Sequence, residues 1–323
     1  MLYYSRRLNC DPFPWLMQGE PWVKYRALID LEDRCLEDPE VRRARKSILE
    51  HPVIMALVED LHARGPISNS IMDCYRPEEP IWKLWYLADM GLTWKDIGLQ
   101  EDFWTSIFDL QVGEDAGFKF SPNDHRSFTC LSANTLYILF RLGFMGHAGL
   151  DRSYHHLLLT QGSDGGWHCD NRLDEDGELR DKESCPFATL NVLQAFSIHP
   201  FIRYTEHPKG GVEVLLNHWE RRQEPYRPDG WGIGSQWHKL IYPYVNYSIL
   251  KFVDVLSHYR AAHQDPRFHQ VLEVLLRKQD DLGRFPSEAV YQGLQGLDIG
   301  GEGEPSRWIT LAVTRALKRI PLP

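Results

Sequence analysis

The sequence predicts an all-α protein, an α/α toroid (α-α barrel) of about five to six helix pairs, and three features of its 323 residues carry that expectation. The first is a glutamine followed six to eight residues later by an aromatic: Gln111 with Gly117-Phe118, Gln161 with Gly166-Trp167, Gln223 with Gly230-Trp231, and Gln279 with Gly283 and Phe285. The second is the pair of helix types around it. Segments that end at the glutamine mix polar and apolar positions, whereas Leu131 to Leu142, Phe187 to Ile198, Val245 to Leu256 and Ile309 to Leu317 have scarcely a charge in their first two turns. A helix apolar on every side must be covered on every side, so these belong to an inner layer. The third is spacing. Steps of 50, 62 and 56 residues between glutamines describe one helix pair repeated with loops of variable length. Six pairs would let the ring close and hide the apolar ends that an open helical-repeat array, the second expectation, must cap.

Taken in order, residues 1 to 21 show little periodicity and read as an arm. Trp22 to Leu31 places Val23, Ala27, Leu28 and Leu31 near one helical face. Asp38-Pro39 marks a helix start with proline just inside it, where its missing N–H costs nothing. Val53 to His62 reads as an outer helix closed by Gly65-Pro66, and Ile81 to Met90 as its inner partner stopping at Gly91. Regular pairs follow at 102–111 with 131–142, 153–161 with 187–198, 211–222 with 245–257, and 266–279 with 307–319. The expected organisation is therefore residues 1–50 as arm and helices packing on the ring, and 51–323 as the toroid domain. Trp167 and Trp231 should be buried against the ends of outer helices, and the glycine-rich loop Tyr291 to Pro305 should serve as a lid.

Composition narrows the function. A formal charge of -9, with only the short basic run Arg42-Arg43-Ala44-Arg45-Lys46, argues against a nucleic-acid surface. No apolar run reaches signal-peptide or membrane-spanning length, which predicts a cytoplasmic protein without a stable membrane anchor. Six cysteines are too thinly spread for a disulfide framework. Eleven Trp, fourteen Tyr and fourteen Phe suit a packed toroid core or an aromatic-walled cavity for a hydrophobic small molecule.

The run from Gln161 through Gly165-Gly166-Trp167, at the end of an outer helix, resembles the repeat motif of the terpenoid cyclase and protein prenyltransferase superfamily. The resemblance covers roughly residues 50 to 320, and the chain looks like the small bacterial prenyltransferase-like, or squalene-cyclase-repeat, proteins. It implies an α-α barrel and a metal-assisted transferase, cyclase or lyase acting on a hydrophobic or prenyl-like molecule. In the protein prenyltransferases, an acidic residue two before a cysteine at an inner-helix start supplies two zinc ligands. That correspondence falls on Glu183 and Cys185, with Glu where the family has Asp. The acidic motifs of the hydrocarbon cyclases are absent from this chain.

Read from the residues, Cys130 and Cys185 stand at the starts of successive inner helices, and Cys169 follows the Gly-Gly-Trp turn that feeds the second. Thiols at helix N-termini are stabilised as thiolates, and three thiolates with one further donor suit zinc. The expected metal set is Cys130, Cys169, Cys185 and Glu183, with His168, Asp170 and His125 as alternatives for the last place. A nucleophilic cysteine without metal, or simple packing of small thiols, would use the same residues. Catalytic roles are expected at Cys185, Cys130, Glu183, His238 and Tyr242, and walls of the binding site at Trp231, Tyr247, Arg307 and Trp308. Cys10, Cys35 and Cys74 should pack as small hydrophobes. Two other functions remain open: a non-catalytic scaffold using the toroid surface, and a glycan-processing enzyme with paired carboxylates drawn from Asp124, Glu183 and Glu288.

Overall fold

A computed structural model describes residues 3–67, 79–113, 116–169, 183–290 and 300–321. Among these, twelve helices have eight residues or more. They are α1 (Pro21–Asp30), α2 (Pro39–Leu49), α3 (Pro52–Arg64), α4 (Pro80–Met90), α5 (Glu101–Phe108), α6 (Thr129–Arg141), α7 (Ala148–Leu159), α8 (Pro186–Ile198), α9 (His207–Glu220), α10 (Ile249–Leu256), α11 (Pro266–Leu276) and α12 (Arg307–Arg319). Only isolated β-bridges occur among the described residues, so the architecture is all-α. Prolines open six of the helices, and side chains of Asp38, Asp265 and Ser306 accept backbone N–H groups at helix starts.

The chain packs as two compact units: unit 1 comprises residues 1–60, 89–91 and 235–323, and unit 2 comprises 61–88 and 92–234. Residues 1–50, expected as an arm and helices on the ring, lie in unit 1 with α10, α11 and α12. There α1 packs on α2 and on α12. The two helix types anticipated from the sequence are present in both units. In unit 2, Pro186 to Ser197 of α8 is buried without interruption, as is Thr129 to Leu139 of α6. The outer α7 buries only Gly149, Leu150, Ser153, Tyr154 and Leu157, a single face.

The repeated turn has a fixed set of hydrogen bonds. The residue after the glutamine donates its N–H to the carbonyl just before the aromatic: Val112 to Gly117 at 2.8 Å, Gly162 to Gly166 at 2.8 Å, Asp280 to Arg284 at 2.9 Å. The aromatic's own N–H goes to a hydroxyl at the fourth position of the following inner helix: Phe118 to Ser132 at 2.8 Å, Trp167 to Thr189 at 3.0 Å, Phe285 to Thr310 at 2.9 Å. Its carbonyl accepts from the residue that precedes that helix, at Phe128, Cys185 and Ser306 respectively. The glycine is dictated by closeness. A Cβ at Gly166 would stand 2.5 Å from Ser184 Cβ and 2.8 Å from Thr189 Oγ1, which no side chain tolerates.

The side chains of Gln111, Gln161 and Gln279 then fasten a neighbour. Gln111 Nε2 donates to Gly149 O at 2.9 Å, at the start of α7, and Gln161 Nε2 to His207 O at 2.8 Å, at the start of α9. Gln279 Oε1 accepts from Asn9 N at 2.7 Å.

The fourth repeat departs from the expectation. Trp231 is half-exposed, 4.6 Å from Phe187, and Trp237 is buried instead, with its carbonyl accepting Ile249 N–H at 2.7 Å. Residues 232–236 lengthen this turn, so the aromatic that seats on the inner helix is the second one. The helix also starts later than expected, at Ile249 rather than near 245, with Ser248 as its cap. The Tyr244 carbonyl, which a longer helix would use internally, instead accepts from the buried Lys251 Nζ at 3.2 Å.

Candidate functional site

The starts of α6 and α8, in unit 2, bring three cysteines together. Cys169 is placed by its carbonyl, which accepts the N–H of Thr129, the first residue of α6, at 3.1 Å. Cys185 is placed by its N–H on Trp167 O at 2.9 Å, and Asp164 clamps the adjoining Ser184 through its N–H at 2.8 Å and its hydroxyl at 2.7 Å. The result sets Cys130 Sγ 3.9 Å from Cys169 Sγ, with Cys185 hydrogen-bonded to Cys169 as well. Cys130 and Cys185 are buried, and Cys169 is half-buried.

The protonation of this cluster differs from the sequence expectation. The hydrogen bond to Cys169 and then burial push the Cys185 thiol far up, and the helix N–H of Ala188 at 3.4 Å, which favours the thiolate, is outweighed. Cys185 is therefore a neutral thiol at neutral pH, not a helix-stabilised thiolate. Its proton makes it a donor toward the Cys169 sulfur.

As a metal set the cluster is partial. A tetrahedral zinc with Zn–S of about 2.3 Å spaces its sulfurs about 3.8 Å apart, which Cys130 and Cys169 match at 3.9 Å. Glu183, however, is exposed and its carboxylate lies 3.3 Å from Arg221. Among the described residues no three His, Cys, Asp or Glu side chains are arranged to hold a metal ion. The described residues thus do not complete a zinc site, and Asp170 falls outside them.

Unit 1 gathers several of the other expected residues. Tyr242 is buried and its hydroxyl donates to Asp89 Oδ2 at 2.6 Å, with its ring 5.6 Å from Trp308. Trp308 and Tyr247 are buried, Tyr247 at 6.0 Å from the Trp237 ring, and His238 is half-buried, edge-on to Trp237 at 5.1 Å. Arg307, the first residue of α12, lies over Trp15 at 4.7 Å and donates to its carbonyl at 3.2 Å.

Sequence reading missed the charges that organise this cluster. Arg315 Nη1 is 3.5 Å from both Asp89 and Asp30, and Arg319 Nη1 is 2.7 Å from Asp254, which also accepts from Tyr244 at 2.9 Å. Burial pulls the Arg315 guanidinium down, but Asp89, Asp30 and Asp254 outweigh it and keep it firmly protonated. Burial and then Asp254 push Tyr244 well above the usual phenol range. The signal available was the single acid in each of α4 and α10, Asp89 and Asp254, and the arginine set between apolar stretches of α12, Arg315.

The remaining expectations resolve simply. Cys10 and Cys35 are exposed rather than packed, and Cys74 lies outside the described residues. The carboxylates weighed for glycan chemistry are each engaged locally: Asp124 by Ser121 N at 2.9 Å, Glu183 by Arg221, and Glu288 by Lys278 at 2.7 Å. Most of the expected lid, 291–299, lies outside the described residues, and its end is bonded down, Ser287 N to Glu304 O at 2.9 Å. No helix among the described residues is long and apolar enough to cross a membrane.

No protein-family model and no curated protein sequence matches the chain. Among solved structures, the type II terpene cyclase MstE from Scytonema matches in its apo form with 14% identity and a TM-score of 0.42, over 93% of this chain and 88% of that one. A variant of the same cyclase in complex with geranylgeranyl dihydroxybenzoate, its substrate, matches with 15% identity and a TM-score of 0.41, over 94% and 88%. A protein from Actinoplanes matches with 12% identity and a TM-score of 0.42, over 93% and 89%. At these values the likenesses carry no inference about reaction or substrate.

Proposed function

We propose that the chain is an enzyme acting on a hydrophobic, prenyl-like small molecule, with the thiol cluster of unit 2 at the reacting end of its site. The observation that carries the proposal is the convergence of two buried thiols, Cys130 and Cys185, on the half-buried Cys169 at the heads of two inner helices. Structural cysteines ordinarily pack singly as small hydrophobes. Because Cys185 keeps its proton, it serves as a hydrogen-bond donor, and the nucleophilic or ligating sulfur is Cys169. Cys130 shares a sulfur–sulfur contact of 3.9 Å with Cys169.

The proposal extends to zinc through Cys130 and Cys169, whose sulfurs have the spacing of two zinc-bound thiolates, with the remaining donors drawn from His168, from Asp170 and from Cys185 on loss of its proton. Such an ion, when bound, would polarise an oxygen or lower the pKa of a bound water or thiol. The test is incubation of purified protein with geraniol, farnesol, geranylgeraniol and their diphosphates, with product analysis, alongside zinc quantification in protein prepared without added metal. Turnover by wild type that is lost in Cys169→Ser supports the proposal. Zinc near one equivalent, lost when all three cysteines are replaced, supports the extension. Wild-type turnover undiminished in Cys169→Ser would sink the thiol assignment, and no turnover of any of these compounds would leave the scaffold reading in its place.

A further inference from the structure

One turn below the thiols, α6 and α8 carry polar side chains in matching places. Counting from the first residue of each helix, positions 2, 6 and 9 are Cys130, Asn134 and Tyr137 in α6, and Phe187, Asn191 and Gln194 in α8. Spacings of four and three put each set on a single helical face. Asn134 is 1% exposed and Gln194 3%, and both Asn134 amide atoms, Thr135 Oγ1 beside it and Gln194 Oε1 are buried without a hydrogen-bond partner. Unpaired buried amides are rare in folded proteins because each forfeits its hydration without replacement. Four such atoms on two packed helices is a concentration that packing alone does not explain.

The chemistry around them restricts what they would hold. The buried stretches of α6 and α8, Thr129 to Leu139 and Pro186 to Ser197, contain no charged side chain. Arg141, in the last turn of α6, is already engaged, donating to Ala88 O at 3.3 Å and lying over the Tyr137 ring. Asn134 offers both a donor and an acceptor, Thr135 either, and Gln194 Oε1 an acceptor. Tyr137 lies tilted against Trp85 at 4.7 Å, which supplies an aromatic surface on the same face as Asn134. A diphosphate buried here would lack a counter-charge, whereas a hydroxyl would satisfy the amides.

We infer that Asn134, Thr135 and Gln194 form a binding site for the neutral, hydrogen-bonding head of a hydrophobic molecule, an alcohol rather than a diphosphate. The inference rests on the hydrophobic-substrate reading proposed above and names the class of that substrate. It is tested by calorimetric titration of the full chain with farnesol and, separately, with farnesyl diphosphate, using wild type, Asn134→Leu, Gln194→Met and, as a control at an exposed thiol, Cys35→Ser. Farnesol should bind wild type and Cys35→Ser alike. It should bind Asn134→Leu and Gln194→Met about tenfold more weakly, the loss of one buried hydrogen bond, and the diphosphate should bind wild type no better than the alcohol. Should either variant fail to fold by circular dichroism, Thr135→Val provides the same comparison with a smaller change of shape. Absent farnesol binding, tighter binding of the diphosphate, or variants that bind farnesol as well as wild type would each overturn the inference. Turnover that survives Cys169→Ser, with these affinities as expected, would count against the thiol chemistry and leave the alcohol site standing.

Discussion

The inner helices α6 and α8 of unit 2 and α12 of unit 1 are built on one plan and filled with opposite chemistry. Each has thirteen residues, each carries a hydroxyl at its fourth position bonded to the preceding aromatic, and each is buried along most of its length. At the ninth position, however, unit 2 has Tyr137 and Gln194 where unit 1 has Arg315, set between Asp30 and Asp89. The frame is thus held by the turn and the fourth position, and the face at positions 6 and 9 is free to carry neutral amides or buried ions. What the comparison teaches is that the same fold element can hold a stability-critical ion network in one place and unpaired polar groups in another.

The sharpest way to break this contrast is to remove the charge. Arg315→Met removes the buried cation that faces Asp89 and Asp30, which keep Tyr242 and Arg26 respectively, and should cost about 3–5 kcal/mol by urea denaturation. Asn134→Leu, which deletes groups that have no partner to lose, should fall within about 1 kcal/mol of wild type or above it. Equal losses at the two sites would erase the distinction between them.

A second contrast concerns the aromatics. Trp167 is fully buried and its indole donates to Leu157 O at 2.6 Å, so Trp167→Ala should cost about 3–5 kcal/mol. The half-exposed Trp231 should cost about 1 kcal/mol or less as alanine, and Trp237→Ala should behave like Trp167. A large loss at Trp231 would restore it to the place the sequence pattern gave it.

Acid should act on unit 2 through His218. Burial, ahead of all else, lowers its pKa to about 4. The unfolded chain, with an ordinary histidine pKa of about 6.5, binds the proton first, so stability is intact above that value and falls as pH drops from about 6.5 toward 4, by up to about 3 kcal/mol. His218→Phe should flatten this part of the stability profile. A profile unchanged by the substitution would assign the acid sensitivity elsewhere, with His199 and His263, also lowered by burial, next in line.

The smallest effect should come from the fourth-position hydroxyls. Thr189→Val removes the acceptor of the Trp167 N–H and should cost about 1–2 kcal/mol, and Thr310→Val should match it despite lying in the other unit. Unequal values would mean that the turn is not the common element.

Much of this frame was legible in the sequence because it is written in residue types at fixed spacing. Gln161, Gly166 and Trp167 are each demanded locally, by a carbonyl to cap, a hydroxyl too close for a Cβ, and a helix end to cover. The thiol cluster was legible in its membership but not in its charge, since the pKa of Cys185 depends on which sulfur lies beside it. Trp231 misled because an inserted stretch shifts the seat to Trp237, and a Gly-Trp pair reads the same in either place. Asp89 and Arg315 stand 226 residues apart, and nothing local announces that they meet.

The glutamine braces also set a schedule for synthesis. Gln161 closes its turn on His207, 46 residues further along, and Gln111 on Gly149, 38 residues further along. At about 5–20 residues per second, the Gln161 turn waits roughly 2–9 s for the helix start that completes it. During that interval the buried face of the newest inner helix lacks its clamp, which is when a chaperone has most to cover. Gln279 reverses the direction, because its partners at Arg7 and Asn9 precede it. The glutamine brace of the last turn can form as soon as it emerges, onto residues that the ribosome released long before.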